Sequence, residues 1–233
     1  MIRRIALLCL LLLPAAAPAR AEPVDLELVL SVDSSGSIDA GEFRLQREGY
    51  ARALTHPDVI AAIKRGPYRA VAITFVEWSG PEIHSQVVGW TKVTGEAEVS
   101  RIAATLLSAP RTIFGGGTSL GGAILMATQL LQDNGFEGTR RVIDISGDGP
   151  NNRGPIVEGP RRAAVGQGIT INGLPILEYD DGLEYYFREF VIGGPGAFVQ
   201  PAQGFADFAR AVRKKLLQEL NLSQRAAPAP RGG

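Results

Sequence analysis

Apolar residues in this chain form continuous runs that alternate with helical repeats. The run from Leu26 to Val32 predicts a strand buried on both faces, and Tyr68 to Val76 predicts a second strand. Between them, apolar and aromatic residues from Phe43 to Leu54 recur at helical spacing. Asp39, with Glu42 three residues later, has the form of a capping box at the start of this helix. Strand, helix and strand are therefore predicted to follow one another.

The alternation continues along the rest of the chain. Further strands are predicted at Glu82 to Trp90, Val142 to Ser146, Ile169 to Leu177 and, briefly, Ala197 to Val199. Because only a short turn precedes Glu82, its strand is expected to be antiparallel to the one before it. Further helices are predicted at Val99 to Leu106, Leu120 to Leu131, Arg161 to Gln167, Leu183 to Phe190 and Phe205 to Leu220. This order predicts an α/β fold: a doubly wound, mostly parallel sheet with helices on both faces and one antiparallel edge strand.

Composition supports one globular domain. The 233 residues are 45% hydrophobic and 21% charged, which is too apolar for a disordered chain. No internal repeat or linker divides the sequence, so residues 22–221 are predicted to form a single domain, and the Pro/Gly/Ala-rich residues 222–233 a disordered tail. Because 24 basic residues balance 24 acidic ones, no basic excess favours nucleic acid as a partner.

The N-terminus has the pattern of an export signal. Arg3 and Arg4 precede an apolar stretch from Ile5 to Leu13, which is too short to span a bilayer. We therefore predict a signal peptide at residues 1–21, cleaved after Ala21, and an exported protein, periplasmic or secreted, without a stable membrane anchor. The single cysteine, Cys9, falls within this leader, so the function of the mature chain must use oxygen or nitrogen groups.

The sequence Asp33-Ser34-Ser35-Gly36-Ser37 directly follows the first strand. An aspartate and two hydroxyls at alternating positions of a tight turn offer three oxygens on one side of the loop. An all-oxygen set suits a hard cation such as Mg²⁺, Mn²⁺ or Ca²⁺. Taken alone, the same pattern is equally typical of a turn in which the aspartate caps the next helix.

Two later motifs favour the metal. A loop of three glycines brings Thr118 to the start of a helix, and Asp148 follows another buried strand. Together with the first turn, these motifs resemble the metal-ion-dependent adhesion site (MIDAS) of the von Willebrand factor A (vWA) domain family. The resemblance covers Val24 to Leu220, and the chain looks most like an uncharacterised group of exported bacterial vWA-like proteins. It implies that hydroxyls of Ser35, Ser37 and Thr118 hold a metal, with Asp33 and Asp148 bound directly or through water.

One residue departs from the family pattern. Family members often have Thr-Asp-Gly or Ser-Asp-Gly at the last motif, whereas here Gly147 separates Ser146 from Asp148. Nearby Asp144 lies inside the predicted strand, where pairing with an arginine is the expected role of a buried carboxylate.

The resemblance implies a non-enzymatic domain that binds a protein partner, whose Asp or Glu carboxylate completes the coordination of the ion. The pattern specifies neither the partner nor an oligomeric state. One alternative is a binding protein for a small anionic ligand that uses the same loops without metal. A second is a subtilisin-like hydrolase, but neither His56 nor His84 has the sequence context of its catalytic histidine. The acidic segment Glu178 to Tyr186 is interpreted either as a partner-contacting loop or as a solvated one.

Overall fold

The structure is a computed structural model that describes residues 21–226. Its centre is a five-stranded sheet that consists of β2 (Leu26–Asp33), β3 (Val71–Trp78), β4 (His84–Val93), β6 (Arg141–Gly147) and β7 (Ile169–Pro175). The strands lie in the order β4-β3-β2-β6-β7, and only β4 is antiparallel to its neighbour. A separate parallel pair is formed by β1 (Glu22–Val24) and β5 (Phe136–Gly138). The predicted fold class is confirmed.

Seven α-helices connect or cover the described strands. They are α1 (Ala40–Leu54), α2 (Pro57–Ile63), α3 (Glu96–Ser108), α4 (Leu120–Leu130), α5 (Glu158–Gly166), α6 (Leu183–Tyr186) and α7 (Phe208–Ala226). The predicted capping box opens α1, because the Asp39 carboxylate accepts the Glu42 amide at 2.8 Å and the Glu42 carboxylate accepts the Asp39 amide at 2.8 Å. This cap fixes the direction in which the chain leaves the turn after β2.

Two hydrophobic cores lie on opposite faces of the sheet. Leu28 and Leu30 of β2 belong to one core, together with Tyr50 of α1 and Leu216 of α7. Val29, between them in the sequence, belongs to the other core, which includes the apolar residues of α4. The continuous apolar run of β2 is explained by this double burial. Each such side chain contributes about 1.5–3 kcal/mol to stability, so β2 is held firmly where it ends.

Several boundaries differ from the predictions. The segment α2 and the pair β1 and β5 were not predicted, because three to seven residues are too short for a hydrophobic period to show. The last predicted strand is a single bridge between Val199 and Gly173, since positive-φ glycines and Pro201 flank it. Helix α7 continues through Ala226, so residues 222–226 are helical rather than part of a disordered tail.

Asp144 pairs with a lysine, not with the arginine that the sequence led us to expect. The Lys215 ammonium of α7 lies 2.8 Å from Asp144 Oδ1 and 3.2 Å from Glu219 Oε1, and all three side chains are buried. The ion pair connects α7 to strand β6 of the sheet. The role of Asp144 is therefore structural, as predicted, although its partner lies 71 positions away in the sequence.

The predicted leader falls almost entirely on residues 1–20, outside the described part of the chain. Within residues 21–226, no helix combines the length and the apolar character needed to cross a bilayer.

Candidate metal centre

The carboxyl ends of β2 and β6 lie side by side, and a carboxylate stands at each. Asp33 is the last residue of β2, and Asp148 directly follows Gly147, the last residue of β6. The chain leaves β2 toward β3 on one side, while β6 pairs on the other, so these strands form a topological switch point. Ligand sites of open α/β sheets lie in the crevice outside such a point.

Hydrogen bonds connect four of the five predicted ligands. The Ser37 hydroxyl donates to Asp148 Oδ1 at 2.9 Å, and the Ser35 and Ser37 hydroxyl oxygens are 3.1 Å apart. Asp33 Oδ1 accepts the backbone amide of Ser35 at 2.8 Å, which closes the turn. Two turns that are 111 positions apart in the sequence thus form one cluster of oxygens.

The fifth predicted ligand, Thr118, is brought to the same place by its glycine loop. Thr118 is buried, and its hydroxyl faces Gly149, 3.9 Å from where a Cβ on that glycine would lie. The loop is attached to the first turn, because the Gly36 amide donates to the Gly116 carbonyl at 3.2 Å. Thr118 is held from the other side by Asn152, whose side-chain oxygen accepts the Thr118 amide at 2.9 Å.

Two carboxylate oxygens at the centre have no hydrogen-bond partner among the described residues. Asp33 Oδ2 and Asp148 Oδ2 are both buried and unpaired. Burial, reinforced by the charge of Asp148, raises the pKa of Asp33 to about 7, and burial also raises the pKa of Asp148. Buried carboxylates are costly unless they are paired, hydrogen-bonded or bound to a metal. The cluster is therefore short of positive charge.

The candidate centre consists of oxygen donors of two types. Within residues 21–226, no three His, Cys, Asp or Glu side chains converge as a metal-binding group. The centre instead combines two carboxylates with three hydroxyls, from Asp33, Asp148, Ser35, Ser37 and Thr118. Oxygen donors of this type fit a hard divalent cation, and the two unpaired oxygens supply the charge that such an ion needs.

Arg111 is a residue of the candidate site that sequence reasoning missed. Its guanidinium donates to the Ile38 carbonyl at 3.0 Å and the Ser34 carbonyl at 3.3 Å, with longer bonds to the carbonyls of Ser35 and Asp39. These carbonyls belong to the Asp33–Asp39 turn. The arginine therefore fixes the backbone of this turn from a loop more than 70 residues away in the sequence.

Part of the acidic tyrosine segment lies at the edge of the centre. The Tyr179 hydroxyl donates to Glu42 Oε1 at 2.7 Å, and this bond with the Glu42 charge raises the pKa of Tyr179 to about 12. Glu42 in turn is close enough to contribute to the raised pKa of Asp148. Tyr179 is 72% exposed at the edge of the candidate centre. Neither this contact nor that of Arg111 has a local sequence signal, because each depends on the folded path of the chain.

Solved structures with the same fold contain vWA-type domains. A von Willebrand factor type A structure from Catenulispora acidiphila is 15% identical and covers 86% of this chain and 43% of that one, with a TM-score of 0.60. Pilus adhesin SpaC from Lactobacillus rhamnosus GG is 16% identical and covers 86% and 31%, with a TM-score of 0.60. Proximal thread matrix protein 1 from the mussel byssus, with a zinc-occupied MIDAS motif, is 15% identical and covers 86% and 46%, with a TM-score of 0.58. The chain thus spans less than half of each, and its fold is that of a vWA-type domain.

The family assignment is more specific than the fold. The chain belongs to the family described as "Protein of unknown function (DUF1194)", whose profile matches residues 23–224. This match includes all five residues of the centre. None of the curated proteins matches the chain.

Proposed function

We propose that this protein is an exported, non-enzymatic binding domain that recognises a protein partner through a bound divalent cation. Asp33, Ser35, Ser37, Thr118 and Asp148 would hold the ion, and an Asp or Glu carboxylate of the partner would complete its coordination. The observation that carries the proposal is the pair of buried carboxylate oxygens, Asp33 Oδ2 and Asp148 Oδ2, that have no partner within the described residues.

The chemistry of the centre favours Mg²⁺ or a similar ion, such as Mn²⁺ or Ca²⁺. Two carboxylates offset the charge of a divalent ion, while neutral hydroxyls add ligands without further charge. The ion then remains attractive to an oxygen from outside, and a carboxylate is the protein group that supplies one. The zinc-occupied MIDAS motif in the mussel byssus protein and the adhesin SpaC give independent support to metal binding and adhesion in this fold.

The two alternative functions have less support. An anionic ligand without metal would face the unpaired oxygens of Asp33 and Asp148, which repel it. A subtilisin-like hydrolase needs a histidine hydrogen-bonded to the aspartate, but neither carboxylate oxygen of Asp33 has a histidine partner among the described residues. His56 instead contacts Arg213 at 2.7 Å and caps α2, and His84 begins the edge strand β4.

Thermal unfolding with Mg²⁺ and with chelator tests the proposal. An ion at 100 times its dissociation constant stabilises the folded state by about 2.7 kcal/mol. For a domain of this size, the melting temperature should rise by roughly 5–10 °C. Asp33→Ala should remove most of this rise, because it deletes both a ligand oxygen and half of the balancing charge.

Asp58→Ala is the matched control, since Asp58 is an exposed aspartate of α2, away from the centre. It should keep the full Mg²⁺-dependent rise. Identical melting curves of the wild-type protein in Mg²⁺ and in chelator would contradict the metal site and favour the anion-binding alternative.

A further inference from the structure

A cavity of about 830 Å³ lies beside the loop that carries Thr118, and none of the five metal ligands lines it. One wall is the turn between β3 and β4, and the opposite wall is the loop after β6. Glycine backbone forms much of the lining, which consists of Gly80, Pro81, Ile83, Gly116, Gly117, Asn152 and Arg153. Because Gly117 directly precedes Thr118, a molecule in this cavity would contact the loop that carries one of the proposed metal ligands.

Arg153 brings a positive charge to the cavity that no described carboxylate neutralises. Its backbone amide donates to the Thr118 carbonyl at 3.2 Å, and its stem lies against Gly117 so closely that a Cβ on that glycine would overlap it. The side chain is exposed, and its guanidinium makes no hydrogen bond or ion pair within residues 21–226. By contrast, the exposed Arg162 of α5 pairs with Glu158 at 3.4 Å. The Arg153 guanidinium is therefore available to an acid from another molecule.

Backbone amides add donors to the same cavity. The amides of Gly116 and Gly117 donate to no acceptor in the described part of the chain. Gly116 has a φ of +90°, and a Cβ on it would overlap the Ser79 hydroxyl, so only glycine fits there. Glycine backbone leaves the amide groups open to an anion, as in other glycine-lined anion sites.

We propose that this cavity is an anion-binding subsite that binds a second carboxylate of the partner, while the first carboxylate coordinates the metal. The inference rests on the proposed function and makes it more specific. Asp33 and Asp148 already balance a divalent ion, so each partner carboxylate adds an excess negative charge. Arg153 offsets the second one. The partner is therefore an extended acidic segment with two carboxylates a few residues apart.

Matched peptides test the subsite. Each contains one Asp followed, after one, two or three glycines, by either Glu or Gln, and is titrated by calorimetry in Mg²⁺ and in chelator. At one spacing, the Glu peptide should bind the wild-type protein roughly tenfold more tightly in Mg²⁺ than its Gln counterpart, as expected for a charge-assisted hydrogen bond. Arg153→Ala should abolish this preference, and Arg162→Ala, an exposed arginine outside the cavity, should retain it.

The outcomes separate the subsite from the metal site. Equal affinity for Glu and Gln peptides at every spacing, or a Glu preference that survives Arg153→Ala, would overturn the subsite but leave Mg²⁺-dependent binding intact. Failure of every peptide to bind the wild-type protein would also overturn the subsite. The melting experiment would then test Mg²⁺ binding separately. Affinities that are equal in Mg²⁺ and in chelator would overturn the proposed function itself. An unchanged Mg²⁺-dependent melting rise in Arg153→Ala verifies that the variant folds with its centre intact.

Discussion

At the scale of single residues, Gly147 lies where a side chain would crowd the Asp33–Asp39 turn. A Cβ on Gly147 would lie 3.0 Å from Asp33 Oδ2, one of the two unpaired oxygens. The extra glycine does not remove Asp148 from the centre, since Asp148 Oδ1 accepts the Ser37 hydroxyl. Glycine at this position thus leaves space for the unpaired oxygen of Asp33, which the proposed ion would contact.

Gly147→Ala tests this interpretation. The added methyl group should displace Asp33 Oδ2, weaken Mg²⁺ binding and cost roughly 1–3 kcal/mol of stability through overpacking. Melting curves at increasing Mg²⁺ concentration report both effects. Gly159→Ala is the control, because nothing lies within 4 Å of a Cβ at that position of α5. Unchanged Mg²⁺ affinity in Gly147→Ala would show that Asp33 Oδ2 does not need this space.

At the scale of elements, a buried polar cluster joins α7 to the sheet. Lys215 bridges Asp144 of β6 and Glu219, and Asn172 of β7 donates to Glu219 at 2.5 Å. Burial, with the nearby charge of Glu219, raises the pKa of Asp144 from 3.8 to about 6 despite the opposing effect of Lys215. The cluster thus makes the attachment of α7 sensitive to pH.

The direction of this pH effect follows from proton linkage. The folded chain binds the Asp144 proton more strongly than the unfolded chain does, so the contribution of Asp144 to the free energy of unfolding should fall as pH rises from about 4 to about 6. Denaturant unfolding of the wild-type protein and Asp144→Asn should differ by a pH-dependent component of roughly 1–3 kcal/mol across this window. Parallel pH profiles of the two proteins would contradict the prediction. Carboxylates outside the cluster cancel in the difference because their surroundings are the same in both proteins.

The same cluster shows which features of the fold a sequence can predict. Some features are local sequence patterns: the capping box of Asp39 and Glu42, and the motifs around Asp33 and Asp148. Their roles can be predicted from the residue types and from their positions next to predicted strand ends. Periodicity also predicted the central strands, because their double burial leaves a continuous apolar run. The pairing of Asp144 with Lys215 depends on which face α7 covers, which no local pattern encodes. The hydrogen bonds from Arg111 to the turn carbonyls could not be predicted from the sequence either, for the same reason.

At the scale of the whole molecule, the first described strand begins where the leader is predicted to end. The Glu22 amide donates to the Gly135 carbonyl at 2.9 Å, and its carboxylate lies 2.8 Å from the Lys92 ammonium. Cleavage after Ala21 would therefore make Glu22, the first residue of β1, the N-terminal residue of the mature chain.

We predict that the exported protein begins at Glu22. Intact-mass measurement of protein recovered from the periplasm or medium should give the mass of residues 22–233, while a variant with Ala19 and Ala21 both replaced by Leu should retain its leader. Exported wild-type protein that still carries Met1 would contradict the cleavage prediction.

The hydrogen bonds from Arg111 to carbonyls of the Asp33–Asp39 turn affect which ion the proposed site would prefer. Calcium sites commonly take six to eight oxygens and draw several of them from backbone carbonyls, whereas magnesium accepts six at shorter range. In this turn, the carbonyls of Ser34, Ser35, Ile38 and Asp39 already accept hydrogen bonds from one guanidinium. These carbonyl oxygens therefore face the Arg111 guanidinium. In the proposed site, the ligands would then come from side chains, water and the partner rather than from these carbonyls, a set that suits the smaller ion.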